Sequence, residues 1–147
     1  MRQSLESQVN ELDLEDRVEF VGGVDFDRVL DFYKEADILV LATATEGWPK
    51  AIAEAMTFGL ICIGGDEGWV PEMLGDGRGI VVRPGDVEAL TDAIRQIALT
   101  PDDFEPMSKR AADWAKSYSL EGLRDALRGL IINRWKVSLE YNYRPID

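Results

Sequence analysis

Short runs of β-branched and apolar residues alternate with longer segments of helical period along this 147-residue sequence. The strongest run, Ile38-Leu39-Val40-Leu41-Ala42, is apolar at every position, which is typical of a parallel strand covered on both faces. Further strands are predicted at residues 18–21, 60–63 and 79–82. This alternation predicts an α/β fold, a Rossmann-like parallel sheet of about four strands with helices on both faces.

Segments of helical period fill the intervals between these strands. The spacing of apolar residues predicts helices over residues 5–12 and 25–36, and Pro49 suits the first turn of a third helix. Asp86 is a predicted N-cap for the helix after the last strand, and a final helix is predicted to start near Ser119. The apolar side of that final helix carries Leu123, Leu127, Leu130, Ile131 and Trp135.

The length and charge of the chain limit its domain organisation and its partners. Its size predicts one compact domain over residues 1–140, followed by a loose tail over residues 141–147. The formal net charge of −12 would repel phosphates, so we expect neither nucleic acid nor an anionic membrane surface as a direct partner. An anionic ligand would therefore need a local group of cations or amides.

Several kinds of chemistry are excluded by what the sequence lacks. It contains no histidine, which excludes histidine triads and histidine-ligated zinc, and we expect no metal site. The one cysteine, Cys62, lies in an apolar run and is expected to be a buried, inert thiol. No G-x-G-x-x-G follows a strand, which disfavours an oxidoreductase. Because no signal-like segment opens the chain, we expect a cytoplasmic protein, peripheral at a membrane only through other parts of a complete enzyme.

The stretch from Thr43 to Met56 has the position expected of a ligand-binding loop. It lies where a predicted parallel strand hands over to a helix, and ligands of open α/β sheets bind beyond the carboxyl ends of the strands. Free N–H groups at a helix start favour phosphate. The predicted phosphate donors are the amides of Lys50, Ala51 and Ile52.

Two carboxylates in this stretch, Glu46 and Glu54, are separated by seven residues. Spacing alone proves nothing in a chain with 28 acidic residues, because such a spacing occurs several times by chance. Glu54, however, lies in a predicted helix that is apolar on nearly all sides, and a carboxylate in a buried helix must be paired or hydrogen-bonded. The hydroxyls of a ribose, a cluster of backbone N–H groups or an arginine would each satisfy it.

The same stretch resembles the E-x7-E motif of retaining GT-B glycosyltransferases, the large family 4 in particular. It consists of Glu46-Gly47-Trp48-Pro49 followed by Glu54-Ala55-Met56. Further motifs similar to those of the family follow one another within residues 5–130. They are V-x-F-x-G-x-V at residues 18–24, A-D-I at 36–38, D-x-G-x-x-P-E at 66–72 and G-x-x-V-x-P-G-D at 79–86. The chain is identified as a member of this family, as its C-terminal, nucleotide-sugar-binding domain.

The resemblance implies a role for each matching residue. Glu54 would bind the ribose hydroxyls of a UDP- or GDP-linked sugar, Glu46 would lie by the donor sugar ring as the catalytic residue, and Val24 would lie near the base. The remaining donor-binding positions are Thr43, Gly47, Trp48, Pro49, Lys50, Ala51 and Ile52. The implied reaction is hexosyl transfer with retention at the anomeric carbon, without an essential metal or any cofactor.

The sequence also departs from the family pattern. Trp69 stands where the second glycine of the D-x-G-G motif is usual, which predicts a reshaped or partly blocked loop. Two strands with a basic residue, and the whole acceptor-binding domain, have no counterpart in this chain. We therefore expect the isolated chain to be inactive and to associate with a missing domain, a complementary subunit or a second copy of itself. The alternative is a non-catalytic nucleotide-binding module or a degenerate structural fragment.

Overall fold

The computed structural model describes residues 2–136 and divides the chain into two compact units, residues 1–32 and 33–147. The predicted tail at residues 141–147 lies outside the described residues. The first unit contains helix α1 (Arg2–Glu11) and the start of helix α2 (Phe26–Glu35), so the boundary between the units falls inside α2. Both helices were predicted from the sequence.

The segment between these two helices contains turns and no strand. Residues 18–21 have no strand partner in the part of the chain that the structure describes, so the strand predicted there is wrong. Alternating β-branched and aromatic residues favour an extended backbone. A β-strand also needs a neighbouring strand with which its backbone N–H and C=O groups form hydrogen bonds. Part of the segment is held instead by Arg2, whose guanidinium donates to the Phe20 carbonyl at 3.2 Å.

The second unit is built on a parallel sheet of three strands in the order β1–β2–β3. Strand β1 is Ile38–Leu41, β2 is Ile61–Gly65 and β3 is Ile80–Val82. All five residues of the middle strand, β2, are buried. The predicted parallel α/β sheet is thus confirmed, with three described strands rather than about four because residues 18–21 do not join it.

Helices fill the rest of the second unit. Those that follow α2 are α3 (Lys50–Thr57), α4 (Val70–Leu74), α5 (Val87–Leu99), α6 (Glu105–Lys116) and α7 (Leu120–Trp135), with a 3₁₀ turn at Pro101–Phe104. The predicted cap forms, since Asp86 accepts the Ala89 N–H at 2.9 Å, and the last helix starts near Ser119 as predicted, with Ser119 accepting the Gly122 N–H at 3.1 Å. Pro49 lies at the N-cap of α3, one residue before the predicted first turn.

The two faces of β2 pack against different helices. Ile61 and Ile63 point to one face, where they form a core with Ala93 and Ile97 of α5. The opposite face carries Cys62 and Gly64, and Gly64 approaches side chains of α3 and α4. Helices therefore cover both faces, as predicted. Cys62 is buried as expected, and burial raises the pKa of its thiol to about 12.

Helix α7 leaves its apolar side exposed within the described residues. Leu123, Leu127 and Leu130 are 55%, 49% and 65% exposed, and Trp135 is 68% exposed. The sequence predicted this helix and its apolar stripe correctly. No described helix combines the length and the apolar character that crossing a bilayer requires.

The absence of a side chain at Gly64 is required by the packing on β2. A Cβ there would overlap Val70 and Leu74 of α4 and press on Ile52 of α3. Gly64→Ala should therefore lower the free energy of unfolding by about 1 to 3 kcal/mol through overpacking. Urea unfolding followed by circular dichroism measures the change. Gly47→Ala is the matched control because a Cβ at Gly47 meets nothing within 4 Å, and equal stabilities of the two variants would contradict the packing argument.

Candidate functional site

The loop that joins β1 to α3 lies beyond the carboxyl end of a parallel strand. Within this loop, the Thr43 hydroxyl donates to Oε1 of Glu46 at 2.7 Å. The hydroxyl holds the Glu46 carboxylate next to the end of β1 without neutralising its charge. Glu46 is half-buried and Thr43 is exposed, so a ligand in solution can approach this pair.

A second loop, which follows β2, packs against the first through backbone groups. The Trp69 N–H donates to the Gly47 carbonyl at 2.9 Å. Gly68 has a φ of +57°, and a Cβ there would collide with the Glu46 carbonyl oxygen. This close approach therefore requires glycine at position 68. Trp69, expected to reshape or block its loop, contributes its amide to this contact while its side chain stays 53% exposed.

The start of α3 presents backbone N–H groups next to the first loop. Pro49 is buried at the N-cap, and its carbonyl accepts the Ile52 N–H at 3.2 Å. Of the three amides predicted as phosphate donors, the Ile52 amide is therefore already engaged. Those of Lys50 and Ala51 have no acceptor within residues 2–136. An anion at this helix start would meet two free N–H groups and the positive end of the helix dipole.

Glu54 is paired with a residue that the sequence argument did not consider. The Tyr33 hydroxyl donates to Oε2 of Glu54 at 3.2 Å, and the Tyr33 ring packs on Phe58 with 5.6 Å between ring centroids. Burial, and then the adjacent Glu54 charge, raise the pKa of Tyr33 to about 12. Glu54 itself is half-buried, because α3 buries one side and exposes the other. The expectation of a helix buried on nearly all sides is corrected accordingly.

An open groove of about 620 Å³ runs beside Glu54. It is lined by Trp48, Lys50, Ala53, Glu54, Thr57, Ala115, Lys116, Tyr118 and Ser119. The α3 residues in this set recur with helical spacing, so one face of the helix forms a wall. Two ammonium groups, of Lys50 and Lys116, line the groove of a chain with a net charge of −12. The Lys116 ammonium pairs with Asp113 at 2.9 Å, so Lys50 is the lining cation that has no ion pair within residues 2–136 and is available to an anionic ligand.

Aromatic contacts connect the first loop to α6. The Trp48 ring lies 6.0 Å from Tyr118, which lies 4.2 Å from Trp114, measured between ring centroids. The Arg78 guanidinium lies 5.1 Å from the centroid of the Trp114 ring. These contacts hold Trp48 in place while it stays 38% exposed towards the groove.

Sequence reasoning missed Tyr33, Lys116 and Tyr118. Tyr33 lies on the buried side of α2, where its pattern is typical of a core position, and Lys116 and Tyr118 lie more than sixty residues beyond Glu54. No local signal connects such positions. Val24, predicted to lie near a base, belongs to the first unit, where its side chain is 41% exposed.

Comparison with known proteins decides the family. The family model described as glycosyl transferases group 1 matches residues 1–114. The chain belongs to this family. It is 30% identical over 106 residues to N-acetyl-alpha-D-glucosaminyl L-malate synthase of Bacillus anthracis, a match that covers 71% of this chain and 27% of that protein. The chain spans between 26% and 36% of the length of the curated relatives that it matches.

Solved glycosyltransferase structures share the fold. Sucrose-phosphate synthase from Thermosynechococcus elongatus superposes with a TM-score of 0.77 at 26% identity, covering 93% of this chain and 35% of that one. The C-terminal domain of the group 1 protein LpcC from Francisella tularensis gives 0.75 at 23% identity, with 81% and 63% covered. Anabaena HepE, solved with UDP-glucose, gives 0.74 at 22% identity, with 91% and 36% covered. This glycosyl transferase group 1 domain is of the GT-B type.

The pairing of Tyr33 with Glu54 in this group 1 domain predicts a measurable pH dependence. Because the pKa of Tyr33 rises from 10.0 to about 12 on folding, the unfolded chain releases this proton first. The stabilisation is complete below pH 10, and the free energy of unfolding should fall as the pH rises towards about 12. In the Tyr33→Phe variant, which lacks the ionisable hydroxyl, the free energy of unfolding should fall less over the same pH range.

Phenolate absorbance, taken as the difference between the wild type and Tyr33→Phe, isolates the titration of Tyr33. In Glu54→Gln the pKa of Tyr33 should move down but stay above 10, because burial is the larger cause. A Tyr33 transition near pH 10 in the folded wild type would rule out the pairing.

Proposed function

We propose that this chain is the donor-binding part of a retaining, family 4 type glycosyltransferase. It binds a nucleoside diphosphate sugar, UDP- or GDP-linked, and the hexosyl group passes to an acceptor held by a part of the enzyme outside this chain. The proposal is carried by one observation: the loop after β1 carries Glu46, held by Thr43, and leads into the start of α3, where two amides have no acceptor within residues 2–136 and Glu54 follows one turn along the helix. Family membership and the UDP-glucose complex of HepE support it.

Each group at this site has a role that its chemistry suits. Glu54 accepts hydrogen bonds from the ribose hydroxyls, and the Thr43-held Glu46 carboxylate lies by the donor sugar ring. Gly47, Trp48 and Pro49 line the sugar. The N-terminus of α3 and the Lys50 ammonium stabilise the negative charge that grows on the diphosphate as the bond to the anomeric carbon breaks. No metal is needed for this stabilisation.

The isolated chain binds the donor but transfers little or no sugar in this proposal. The acceptor-binding surface belongs to a further domain, a complementary subunit or a second copy, and the exposed apolar side of α7 is the surface we assign to that association. A nucleotide-binding module without turnover is the second candidate, and the Lys50 and Ala51 amides, which would suit a phosphate in either case, are compatible with it. A sugar-transfer assay with the chain joined to an acceptor-binding domain separates the two.

The first test compares nucleotides that differ by one phosphate. The start of α3 presents the open amides of Lys50 and Ala51. Because a charge near a helix N-terminus is stabilised by about 1 kcal/mol, we expect the diphosphates UDP or GDP to bind about fivefold or more tightly than UMP or GMP. Magnesium should leave the affinity unchanged. Calorimetry that gave equal affinities for mono- and diphosphate, or a strict requirement for a divalent ion, would contradict this site.

The second test separates the two glutamates. Glu54→Gln should weaken nucleotide binding by about 1 to 3 kcal/mol, the range for a charge-assisted hydrogen bond. Glu46→Gln should leave the affinity for UDP near the wild-type value and weaken the affinity for UDP-glucose, because the proposal puts Glu46 next to the sugar ring. Glu88→Gln, an exposed position on α5, is the control for the loss of one charge. Unchanged nucleotide affinity in Glu54→Gln would give Glu54 a purely structural role.

A further inference from the structure

The carboxylate of Glu54 is held at one oxygen only. Its Oε2 accepts the Tyr33 hydroxyl at 3.2 Å, and its Oε1 has no hydrogen-bond partner among residues 2–136. Glu54 also lines the groove between α3 and the turn that follows α6. One oxygen is therefore fixed by the protein, while the other is available to a ligand.

Tyr33 is itself firmly held and does not line the groove. Tyr33 is 8% exposed, and its ring packs against Phe58 at the C-cap of α3. Its phenol keeps its proton at neutral pH and well into the alkaline range, because burial and the Glu54 charge raise the pKa from 10.0 to about 12. The hydroxyl is thus a permanent donor from a fixed position, which restricts the rotamers of Glu54.

Restricting the rotamers of Glu54 affects the binding of a ligand with two adjacent hydroxyls, such as a ribose, more than the binding of a ligand with one hydroxyl. A carboxylate that receives both hydroxyls of a ribose must present its plane in one orientation, whereas a single hydroxyl accepts many orientations. A side chain that is ordered before binding loses less entropy when the ligand arrives. Removing the orienting hydroxyl should therefore reduce the preference for ribose over 2′-deoxyribose.

We propose that Tyr33 is a positioning residue that orients the Glu54 carboxylate and thereby determines how strongly the chain distinguishes a ribonucleotide from a 2′-deoxyribonucleotide. This inference rests on the proposed function, because it requires Glu54 to bind a ribose. It assigns Tyr33 no contact with the ligand. The effect passes through one hydrogen bond, so it depends on Glu54 being able to accept that bond as a carboxylate.

Calorimetry on the full chain with UDP, 2′-deoxy-UDP, GDP and 2′-deoxy-GDP tests the proposal. In Tyr33→Phe, affinity for the ribonucleotide should fall about three- to tenfold, the range for one neutral hydrogen bond. Affinity for the 2′-deoxy analogue should change less than about twofold. In the double variant with Glu54→Gln, the loss of the Tyr33 hydroxyl should have no additional effect, since the two residues act as one unit.

Two further variants separate positioning from stability. Ile97→Val removes one methylene group from the core between β2 and α5 and touches neither Tyr33 nor Glu54, so it should lower the thermal stability and leave the ratio of ribo- to deoxyribonucleotide affinity unchanged. Tyr33→Met also lacks the hydroxyl and repeats the test if Tyr33→Phe does not fold. An unchanged ratio in a folded variant without the hydroxyl, beside a wild type that prefers the ribonucleotide, overturns the inference alone. Failure of the wild type to bind any of the four nucleotides overturns the proposed function, and the inference with it.

Discussion

The middle strand β2 sets the positions of the elements around it. Its five residues are buried, with Ile61 and Ile63 packed towards α5 and with Gly64 approached by side chains of α3 and α4. Interiors pack densely enough that one extra methyl group is felt. Because Gly64 lacks that methyl group, both helices can lie close to the strand. The start of α3, and therefore every group of the candidate site on that helix, depends on this approach.

Neutral hydrogen bonds, rather than ion pairs, hold the two carboxylates of the site. Glu46 accepts from Thr43, and Glu54 accepts from Tyr33. Each carboxylate is oriented while its charge is retained, which keeps it able to accept hydrogen bonds from a sugar or a ribose. The cations of the groove, Lys50 and Lys116, stay separate from both, because Lys116 pairs with Asp113 at 2.9 Å and Lys50 has no ion pair among the described residues.

Local signals predicted much of the fold correctly. Asp86 was identified as a cap because a side chain and an amide three residues apart along the chain form that bond, and the start of the last helix was predicted near Ser119, which proves to be its cap. The strands β1 and β2 were identified from uninterrupted apolar runs, which predict burial on both faces; β2 is buried throughout, whereas β1 is only partly buried and its Val40 is 41% exposed. The prediction failed at residues 18–21, where the pattern favoured an extended backbone but no described strand lies beside it. Pairing depends on residues elsewhere in the chain, and no local pattern contains that information.

For the candidate site, the sequence by itself determined which groups are available: two glutamates, a helix start after Pro49, and motifs similar to those of one glycosyltransferase family. It also fixed their location at the junction of a strand and a helix, because that junction is local. Tertiary structure alone decided that Tyr33 pairs with Glu54, twenty-one residues away, and that Lys116 and Tyr118 complete the groove. Contacts between distant segments follow from how helices pack on a sheet, and that packing depends on shape and volume across the whole core rather than on spacing along the chain.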